Sequence, residues 1–288
     1  MTRAGIDLVV LDMDGTIYGR QFAGGISPRV RRAIAAVQAG GTPVTVATGR
    51  IFDFVRGVAP ELGLTLPVIT AQGAVIGDPV NGEVLYETLI EREAACRVAA
   101  WADGEERTTV FYLNGSGGRT RLVQSAPAMA NGWTGWEGWD SATYDHWFCS
   151  PREMHGSLLD VVSHAESRPL KFITINDHTR EPDQTAALQK RFGEGVHMSR
   201  SHQYLVEGTA PEATKGHGLL WLSKRLGVQP ERVLAIGDNE NDIPMLREAG
   251  VAVCMGQSTA VVRAEADWVA PTLEEDGAAV ALERFVLS

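Results

Sequence analysis

Two acidic clusters have the residue types and the spacing to hold a metal ion and to carry out phosphoryl chemistry. The first contains Asp12 and Asp14, in the string DMDGT that ends the apolar run 7–11. The second is the string GDNEND at 237–242, which ends the apolar run 232–236. A carboxylate at the tip of a buried strand is costly unless it is paired or bound to a metal. Two such clusters on one site would therefore require a cation between them.

Each cluster also has a simpler interpretation. An isolated Asp-x-Asp-Gly can cap a turn, and acids at a helix N-terminus suit the helix macrodipole. The macrodipole explains Glu240 well. It does not explain three carboxylates and two amides within the five residues 238–242.

The elements that must position these clusters alternate between strands and helices at both ends of the chain. Ser27 and Pro28 are suited to begin a helix that Gly40 would end. Strands are predicted at 7–11, 43–47, 67–70, 232–236 and 251–254. Helices are predicted at 28–39, from just after 48–50 to about 58, at 216–226, at 243–249 and from about 276 onward. Such alternation predicts a parallel sheet, and ligands bind beyond the carboxyl ends of its strands.

The middle of the chain has a different pattern. Strands are predicted there at 108–113, 120–124 and 170–175, with helices at 91–101 and 181–192. The predicted organisation is an α/β core formed by 1–75 and 208–288, with an inserted α+β domain at 76–207. A Gly- and Trp-rich stretch at 131–139 is predicted to be a loop, and its role stays open.

Four strings together resemble the motifs of the haloacid dehalogenase superfamily. They are DMDGT at 12–16, Thr48-Gly49-Arg50, Lys215-Gly216, and GDNEND at 237–242, and they occur in the family's order. The position of the insert, between Thr48 and Lys215, resembles the Cof-type phosphatases, which carry a type-C2 cap. The resemblance implies a Rossmann-like parallel-sheet core with an inserted cap.

The resemblance also implies catalytic roles for the first cluster. Asp12 would be the nucleophile that forms an aspartyl phosphate, which divides one difficult displacement into two easier ones. Asp14 would be the acid and base that protonates the leaving oxygen and then activates water. The ion-pumping ATPases of this superfamily, whose phosphoenzyme must persist, have Thr where Asp14 stands. Because Asp14 is present here, we expect turnover by water.

Mg²⁺ is the cofactor that the resemblance implies. This ion prefers oxygen ligands and usually binds only one or two carboxylates, together with waters and substrate phosphate. Asp12 and Asp238 would bind it through side chains, and Asp14 through its main-chain carbonyl. Asp242 would lie outside this ligand set, orienting Lys215 or a metal-bound water.

The remaining motif residues are expected to bind the phosphoryl group. Thr48 would donate its hydroxyl, the Gly49 amide would lie nearby, Lys215 would add a fixed positive charge, and Asn241 would contact phosphate. Taken singly, Thr48 is an ordinary strand-end hydroxyl and Lys215 an ordinary first-turn lysine. The chain departs from the Cof-type pattern at Gln72, where an Asn usually precedes Gly, which leaves the hydrogen bond of that Asn in doubt.

Composition limits the other classes of function. The 288 residues carry a net charge of −10 and no basic stripe, which argues against a nucleic-acid partner. No apolar run approaches the length that spans a bilayer, so no membrane partner or export signal is expected. The three cysteines are far apart in sequence, without metal or disulfide spacing, and predict a reducing compartment, the cytoplasm. The oligomeric state stays open.

The predicted function is a Mg²⁺-dependent phosphatase of small organic phosphomonoesters, such as sugar phosphates or related metabolites, with the insert selecting among them. The alternatives are a phosphomutase or other phosphotransferase of the same superfamily, and a catalytically weak regulatory protein that binds a metabolite. A dehalogenase is disfavoured by Asp14 and by the acidic cluster at 238–242. A regulatory module is disfavoured because neither Asp12 nor Lys215 is missing. The identity of the substrate stays open.

Overall fold

A computed structural model of the chain describes residues 5–19, 25–114, 120–125, 152–176, 182–202 and 205–288. The fold divides into two compact units. The core unit comprises Met1–Tyr86 and Thr214–Ser288, and the inserted unit comprises Glu87–Ala213. The predicted insert, 76–207, therefore starts eleven residues before the first residue of the inserted unit. It ends six residues before the last residue of that unit.

The core unit alternates strands and helices as the sequence predicts. Its strands are β1 (Leu8–Leu11), β2 (Val44–Val46), β3 (Val68–Thr70), β4 (Val75–Gly77), β5 (Val84–Glu87), β12 (Val233–Gly237), β13 (Val251–Cys254) and β14 (Trp268–Val269). Its helices are α1 (Pro28–Ala39), α2 (Phe52–Val58), α6 (Lys215–Leu226), α7 (Ile243–Glu248), α8 (Ala260–Arg263) and α9 (Gly277–Leu282). A single π-helical turn, Glu283–Leu287, follows α9.

Five of these strands form a parallel sheet in the order β14-β13-β12-β1-β2. Every residue of β1 is buried, as expected for an interior strand of such a sheet. In the register of β1 with β12, Leu11 lies opposite Ile236. The two strands therefore end side by side, and the acidic clusters that follow them leave the sheet at the same edge.

Helix α1 shows why local sequence was informative in this unit. Ser27 is its N-cap, and its side-chain oxygen accepts a hydrogen bond from the Val30 amide at 3.2 Å. Pro28 occupies the first turn, and the apolar residues of the predicted face are buried. Gly40 caps the C-terminal end. The sequence prediction of this helix is confirmed.

A second sheet in the core unit was predicted from the sequence only in its first strand, β3. Strand β3 joins the parallel arrangement through one bridge, Ala47 to Ile69, and also pairs with β4, which pairs with β5. Residues 76–86 therefore belong to the core unit rather than to the insert. They escaped prediction because β4 has three residues and β5 is partly exposed without a clear alternation.

The inserted unit is an α+β arrangement around one sheet. Its strands are β6 (Thr109–Asn114), β7 (Thr120–Ser125), β8 (Arg152–His155), β9 (Pro169–Ile175), β10 (His197–His202) and β11 (Leu205–Thr209), and its helices are α3 (Arg92–Gly104), α4 (Leu158–His164) and α5 (Thr185–Phe192). The strand order is β10-β11-β9-β6-β7-β8, antiparallel except for β7 with β8. Val98 of α3, Phe111 of β6 and Phe172 of β9 belong to its apolar core.

The three strands and two helices predicted for the insert are confirmed, with α5 beginning later than expected. The other three strands and α4 were not predicted. The predicted loop at 131–139 lies outside the described residues. Among the helices that the structure describes, none combines the length and the apolar composition that a bilayer span requires.

Candidate functional site

The two acidic clusters meet at one edge of the parallel sheet in the core unit. The Asp12 amide continues the β1 ladder by donating to the Ile236 carbonyl at 2.9 Å. Gly15 has a φ of +85° and passes so close to the Asp238 carboxylate that a Cβ at this position would lie 2.3 Å from Asp238 Oδ2. Only glycine fits this conformation and this space. The first loop is thereby held against the second.

Lys215 links the two clusters through its ammonium group. It is the first residue of α6 and is 1% exposed. Its Nζ lies 2.6 Å from Asp12 Oδ1 and 2.5 Å from Asp242 Oδ1. The helix can approach this closely because Gly216 packs on the main chain of Pro244, where a Cβ would meet the carbonyl oxygen at 2.4 Å. The charge of Lys215 is thus fixed beside the Asp12 carboxylate.

Both oxygens of Asp242 are engaged within the protein. Oδ1 accepts from Lys215, and Oδ2 accepts from the main-chain amides of Asp238 at 2.8 Å and Asn239 at 3.0 Å. Asn239 and Asp242 form a capping box at the short turn Glu240–Asp242. Asp242 therefore orders the loop that carries Asp238 and orients Lys215.

The cluster contains more negative than positive charge. Carboxylate oxygens of Asp12, Asp238 and Asp242 lie within 4.8 Å of one another, while Lys215 is the ammonium that pairs with two of them. Burial and the charge of Asp242 raise the pKa of Asp12 to about 7, although Lys215 opposes this shift. Burial and the charge of Asp12 raise the pKa of Asp238 well above its ordinary value. A bound cation would relieve both effects, so the donor set fits a divalent metal.

Burial alone would lower the pKa of Lys215, but the adjacent charges of Asp12 and Asp242 raise it overall. The lysine is therefore held in its charged form. A fixed, fully buried positive charge beside a strand-end carboxylate is suited to stabilise a transferring anionic group. The role of Lys215 in binding a phosphoryl group stays a prediction.

Asp14 is more exposed than Asp12 and Asp242 and is bound by Arg50. Its side chain is 37% exposed. Arg50 Nε donates to Asp14 Oδ2 at 2.8 Å, and Arg50 Nη2 donates to Asp14 Oδ1 at 2.6 Å. The guanidinium carbon also lies 4.4 Å from the centre of the Phe54 ring. Arg50 thus fixes the orientation of Asp14 by a two-pronged contact.

Sequence reasoning assigned no role to Arg50. The signal available was its place in the Thr48-Gly49-Arg50 motif, directly after a strand that neighbours β1. Its partner is 36 residues away in sequence, so the contact could not be derived from spacing. The predicted ligation of metal by the Asp14 main-chain carbonyl stays a prediction.

The expected phosphoryl-binding residues lie on loops that are hydrogen-bonded to one another. Thr48 is buried, and its Oγ1 accepts from the Arg50 amide at 3.1 Å, which leaves its own O–H able to donate. Gly49 lies between these two residues. The Gln72 amide donates to the Thr48 carbonyl at 3.0 Å, and Asn241 Nδ2 donates to Gln72 Oε1 at 3.1 Å. The loops after β2, β3 and β12 are thereby connected.

Comparison with known proteins assigns this arrangement to a family. The family model described as haloacid dehalogenase-like hydrolase matches residues 9–282. The chain belongs to this family. The match confirms the superfamily that the four motifs indicated, and its span includes the residues of all four.

Relatives and a solved structure agree with this assignment. The Bacillus subtilis phosphatase YwpJ is 27% identical over 284 residues, covering 94% of this chain and 97% of that protein. The 5-amino-6-(5-phospho-D-ribitylamino)uracil phosphatase YcsE of Bacillus subtilis is 28% identical over 283 residues, covering 98% of this chain and 96% of that protein. A haloacid dehalogenase-like hydrolase from B. subtilis superposes with a TM-score of 0.80 at 24% identity, covering 98% of this chain and 100% of that one.

These matches confirm the predicted enzyme class, a hydrolase of the phosphatase type in the Cof-like branch, and the predicted α/β fold. The structure brings Asp12, Asp238, Asp242 and Lys215 into direct proximity. It places Asn241 against Gln72, and Asp14 against Arg50.

Proposed function

We propose that this hydrolase cleaves small organic phosphomonoesters, using Mg²⁺ and a phosphoryl intermediate on Asp12. The observation that carries the proposal is the Asp12 carboxylate itself. It is buried at the end of β1, and its Oδ1 is fixed 2.6 Å from Lys215 Nζ in a cluster with a surplus of negative charge. A carboxylate in this setting is oriented for attack and has a buried positive charge beside the position of the incoming phosphoryl group.

In the first step, an oxygen of Asp12 attacks phosphorus and the bond from phosphorus to the organic oxygen breaks. Asp14 transfers a proton to that leaving oxygen, so an alcohol departs. In the second step, a water oxygen attacks phosphorus, Asp14 takes the proton from this water, and the acyl phosphate bond breaks. Inorganic phosphate is released, Asp12 is again a carboxylate, and Asp14 again holds the proton with which the cycle began. The contact of Asp14 with Arg50 would hold it in place for both transfers.

The negative charge on the three phosphoryl oxygens is stabilised by groups already in place. Lys215 supplies a fixed ammonium, Thr48 supplies a hydroxyl, and the Gly49 amide and the Asn241 side chain supply further donors. Stabilising this charge and aligning the attacking oxygen account for most of what a protein contributes to phosphoryl transfer. The burial of Thr48 and Lys215 strengthens each interaction, because little water competes for it.

Asp12 and Asp238 would hold the metal with their carboxylates, and Asp14 with its main-chain carbonyl. The proximity of the carboxylates and the raised pKa values of Asp12 and Asp238 support a cation at this position. Mg²⁺ suits an all-oxygen set with few carboxylates. When bound, the ion would offset charge on the transferring phosphoryl group. Asp242 would orient Lys215, since both of its oxygens already accept hydrogen bonds.

The proposed substrates are small phosphorylated metabolites, such as sugar phosphates and related compounds. The relative YcsE is named for a phosphorylated ribityl compound, which belongs to this chemical class. The net charge of −10 disfavours polyanionic partners such as nucleic acids. Because the groups described above address only phosphate and metal, we propose that the inserted unit selects the organic part of the substrate.

The experiment is an acid quench during turnover of ³²P-labelled p-nitrophenyl phosphate, followed by peptide mapping. We expect label on the peptide that contains Asp12. The matched variant is Asp14→Asn. Because p-nitrophenolate leaves without a proton, this variant should still form the intermediate but hydrolyse it slowly, so the label should accumulate.

Hydrolysis with no labelled peptide in either protein would contradict the covalent mechanism. Transfer of the label to an added sugar phosphate in preference to water would instead identify a phosphotransferase. A protein without any turnover of phosphomonoesters would contradict the proposed function as a whole.

A further inference from the structure

Gln72 carries a buried donor group that has no partner within the described ranges of the chain. Its side chain is 3% exposed. Its Oε1 accepts from Asn241 Nδ2 at 3.1 Å, whereas its Nε2 has no hydrogen-bond partner in the described part of the chain. Buried polar groups are nearly always hydrogen-bonded, so a native orphan donor needs an explanation. A ligand that arrives with acceptor oxygens is one such explanation.

The backbone at this position is held in an unusual conformation. Ala71 and Gln72 have φ values of +49° and +62°, and Gly73 follows with +98°. A Cβ on Gly73 would lie 2.2 Å from the Thr214 carbonyl oxygen, so this turn packs tightly against the residue before Lys215. Non-glycine residues with positive φ persist only where surrounding structure enforces them, and they cluster at functional sites.

Hydrogen bonds show what enforces the conformation. The Ala71 amide donates to the Arg50 carbonyl at 2.7 Å, and the Gln72 amide donates to the Thr48 carbonyl at 3.0 Å. The main chain of Gln72 is thus attached to the loop of Thr48, while its side chain contacts Asn241. Gln72 therefore lies between two residues that are proposed to bind phosphoryl oxygens.

We propose that Gln72 binds the substrate by donating a hydrogen bond from Nε2 to a phosphoryl oxygen. This inference rests on the proposed function. Phosphoryl oxygens only accept hydrogen bonds, which complements a donor whose carboxamide oxygen is already occupied by Asn241. The contact is to the phosphoryl group and not to the organic part, because both neighbours of Gln72 address phosphate.

The test compares the wild type with Gln72→Met, which removes the donor while keeping an unbranched side chain of similar length. The readouts are the inhibition constant of inorganic phosphate, in the presence of Mg²⁺, and kcat/KM for one aryl and one alkyl phosphate. We expect phosphate inhibition to weaken about tenfold, as for a lost hydrogen bond to a charged group. We expect kcat/KM to fall by the same factor for both substrates, since the phosphoryl group is common to them.

The matched control is Gln124→Met in the inserted unit. Gln124 is also buried, its Oε1 accepts from Arg152, and its Nε2 likewise has no partner among the residues that the structure describes. This variant should leave the inhibition constant of inorganic phosphate unchanged. The melting temperature without phosphate serves as the structural readout, because a purely structural role for Gln72 would lower it without affecting phosphate inhibition.

Phosphate inhibition within twofold of the wild type in Gln72→Met would overturn the inference, as would a fall in kcat/KM for only one class of leaving group. If Gln72→Met does not fold, Gln72→Asn provides the same test, because the shorter side chain withdraws the donor and should also weaken phosphate inhibition. A failure of the proposed function would be visible separately, since the wild type itself would then neither hydrolyse phosphomonoesters nor be inhibited by phosphate.

Discussion

The two units bury charged side chains in opposite ways. In the inserted unit, Lys171 and Glu207 are each 5% exposed and form a pair at 2.7 Å. In the core unit, Lys215 pairs with both Asp12 and Asp242, and Asp238 adds a third carboxylate to the same cluster. In the contact of Lys171 with Glu207 one ammonium faces one carboxylate, and the two charges offset each other. In the cluster the charges do not offset each other, and the surplus charge indicates where a positively charged ligand belongs.

This contrast distinguishes structural from functional burial of charge. Lys171 also lies 4.7 Å from the centre of the Tyr112 ring, which adds a cation–π attraction to its pair with Glu207. The Asp12 carboxylate, in contrast, has a pKa raised to about 7, with burial as the largest cause and the charge of Asp242 next. Its surroundings disfavour the ionised form that the proposed mechanism needs until a cation arrives.

The largest expected effect is the loss of turnover in Asp12→Asn. The amide has nearly the same shape but cannot act as the nucleophile, so we expect kcat to fall by roughly 10³-fold or more. Lys215 keeps Asp242 as a partner, so the fold should be retained. The measurement is steady-state hydrolysis of p-nitrophenyl phosphate, with circular dichroism to verify folding. Turnover within tenfold of the wild type would mean that the surplus charge does not serve nucleophilic catalysis.

The equivalent amide substitution in the inserted unit, Glu207→Gln, should affect stability instead. It removes the negative charge that pairs with the buried ammonium of Lys171, which should lower the free energy of unfolding by about 3–5 kcal/mol. Urea denaturation of the metal-free protein measures this change. The control is the double variant Glu207→Gln with Lys171→Met, which removes both charges and should recover most of the loss. An unchanged midpoint for Glu207→Gln would show that the pair is not a structural one.

The smallest expected effect is in the pH dependence of stability. Because folding raises the pKa of Asp12 from 3.8 to about 7, the folded state binds this proton more tightly, and stability should fall as pH rises through this window. Asp12→Asn removes this contribution. The free energy of unfolding of metal-free Asp12→Asn, minus that of the metal-free wild type, should therefore be larger at pH 8 than at pH 5, by on the order of 2 kcal/mol. Urea denaturation of both proteins in chelator, at pH 5 and at pH 8, measures this change. The same difference between variant and wild type at both pH values would contradict the prediction.

The part of the site that sequence could predict depends on short-range rules. An apolar run that ends in acidic residues identifies a strand and the residue at its tip, and neighbouring parallel strands present their carboxyl ends at one edge. These rules predict that Asp12 and Asp238 lie at the same edge of the sheet. The register of β1 with β12 shows that the two strands end side by side. Short-range rules also predicted α1, because Ser27, Pro28 and its apolar face act within a few residues of one another.

The parts that sequence missed depend on contacts between distant segments. Nothing near Arg50 indicates that it binds Asp14, and nothing near Gln72 indicates that its carboxamide accepts from Asn241. The substitution at Gln72 was recognised as a departure from the family pattern, but only the folded chain shows its orphan donor. The division between the two compact units falls after Tyr86 for a similar reason, since β4 and β5 are defined by pairing with β3 rather than by their own composition.

The most direct test of the central claim is a Mg²⁺ titration of the metal-free protein, with melting temperature and hydrolysis of p-nitrophenyl phosphate followed in the same samples. If the surplus carboxylates are a cation site for catalysis, both quantities should rise with one midpoint in the wild type and in Glu207→Gln. Neither should rise over that range in Asp238→Asn. Full turnover of the wild type in chelator, with no change in melting temperature on adding Mg²⁺, would contradict the account.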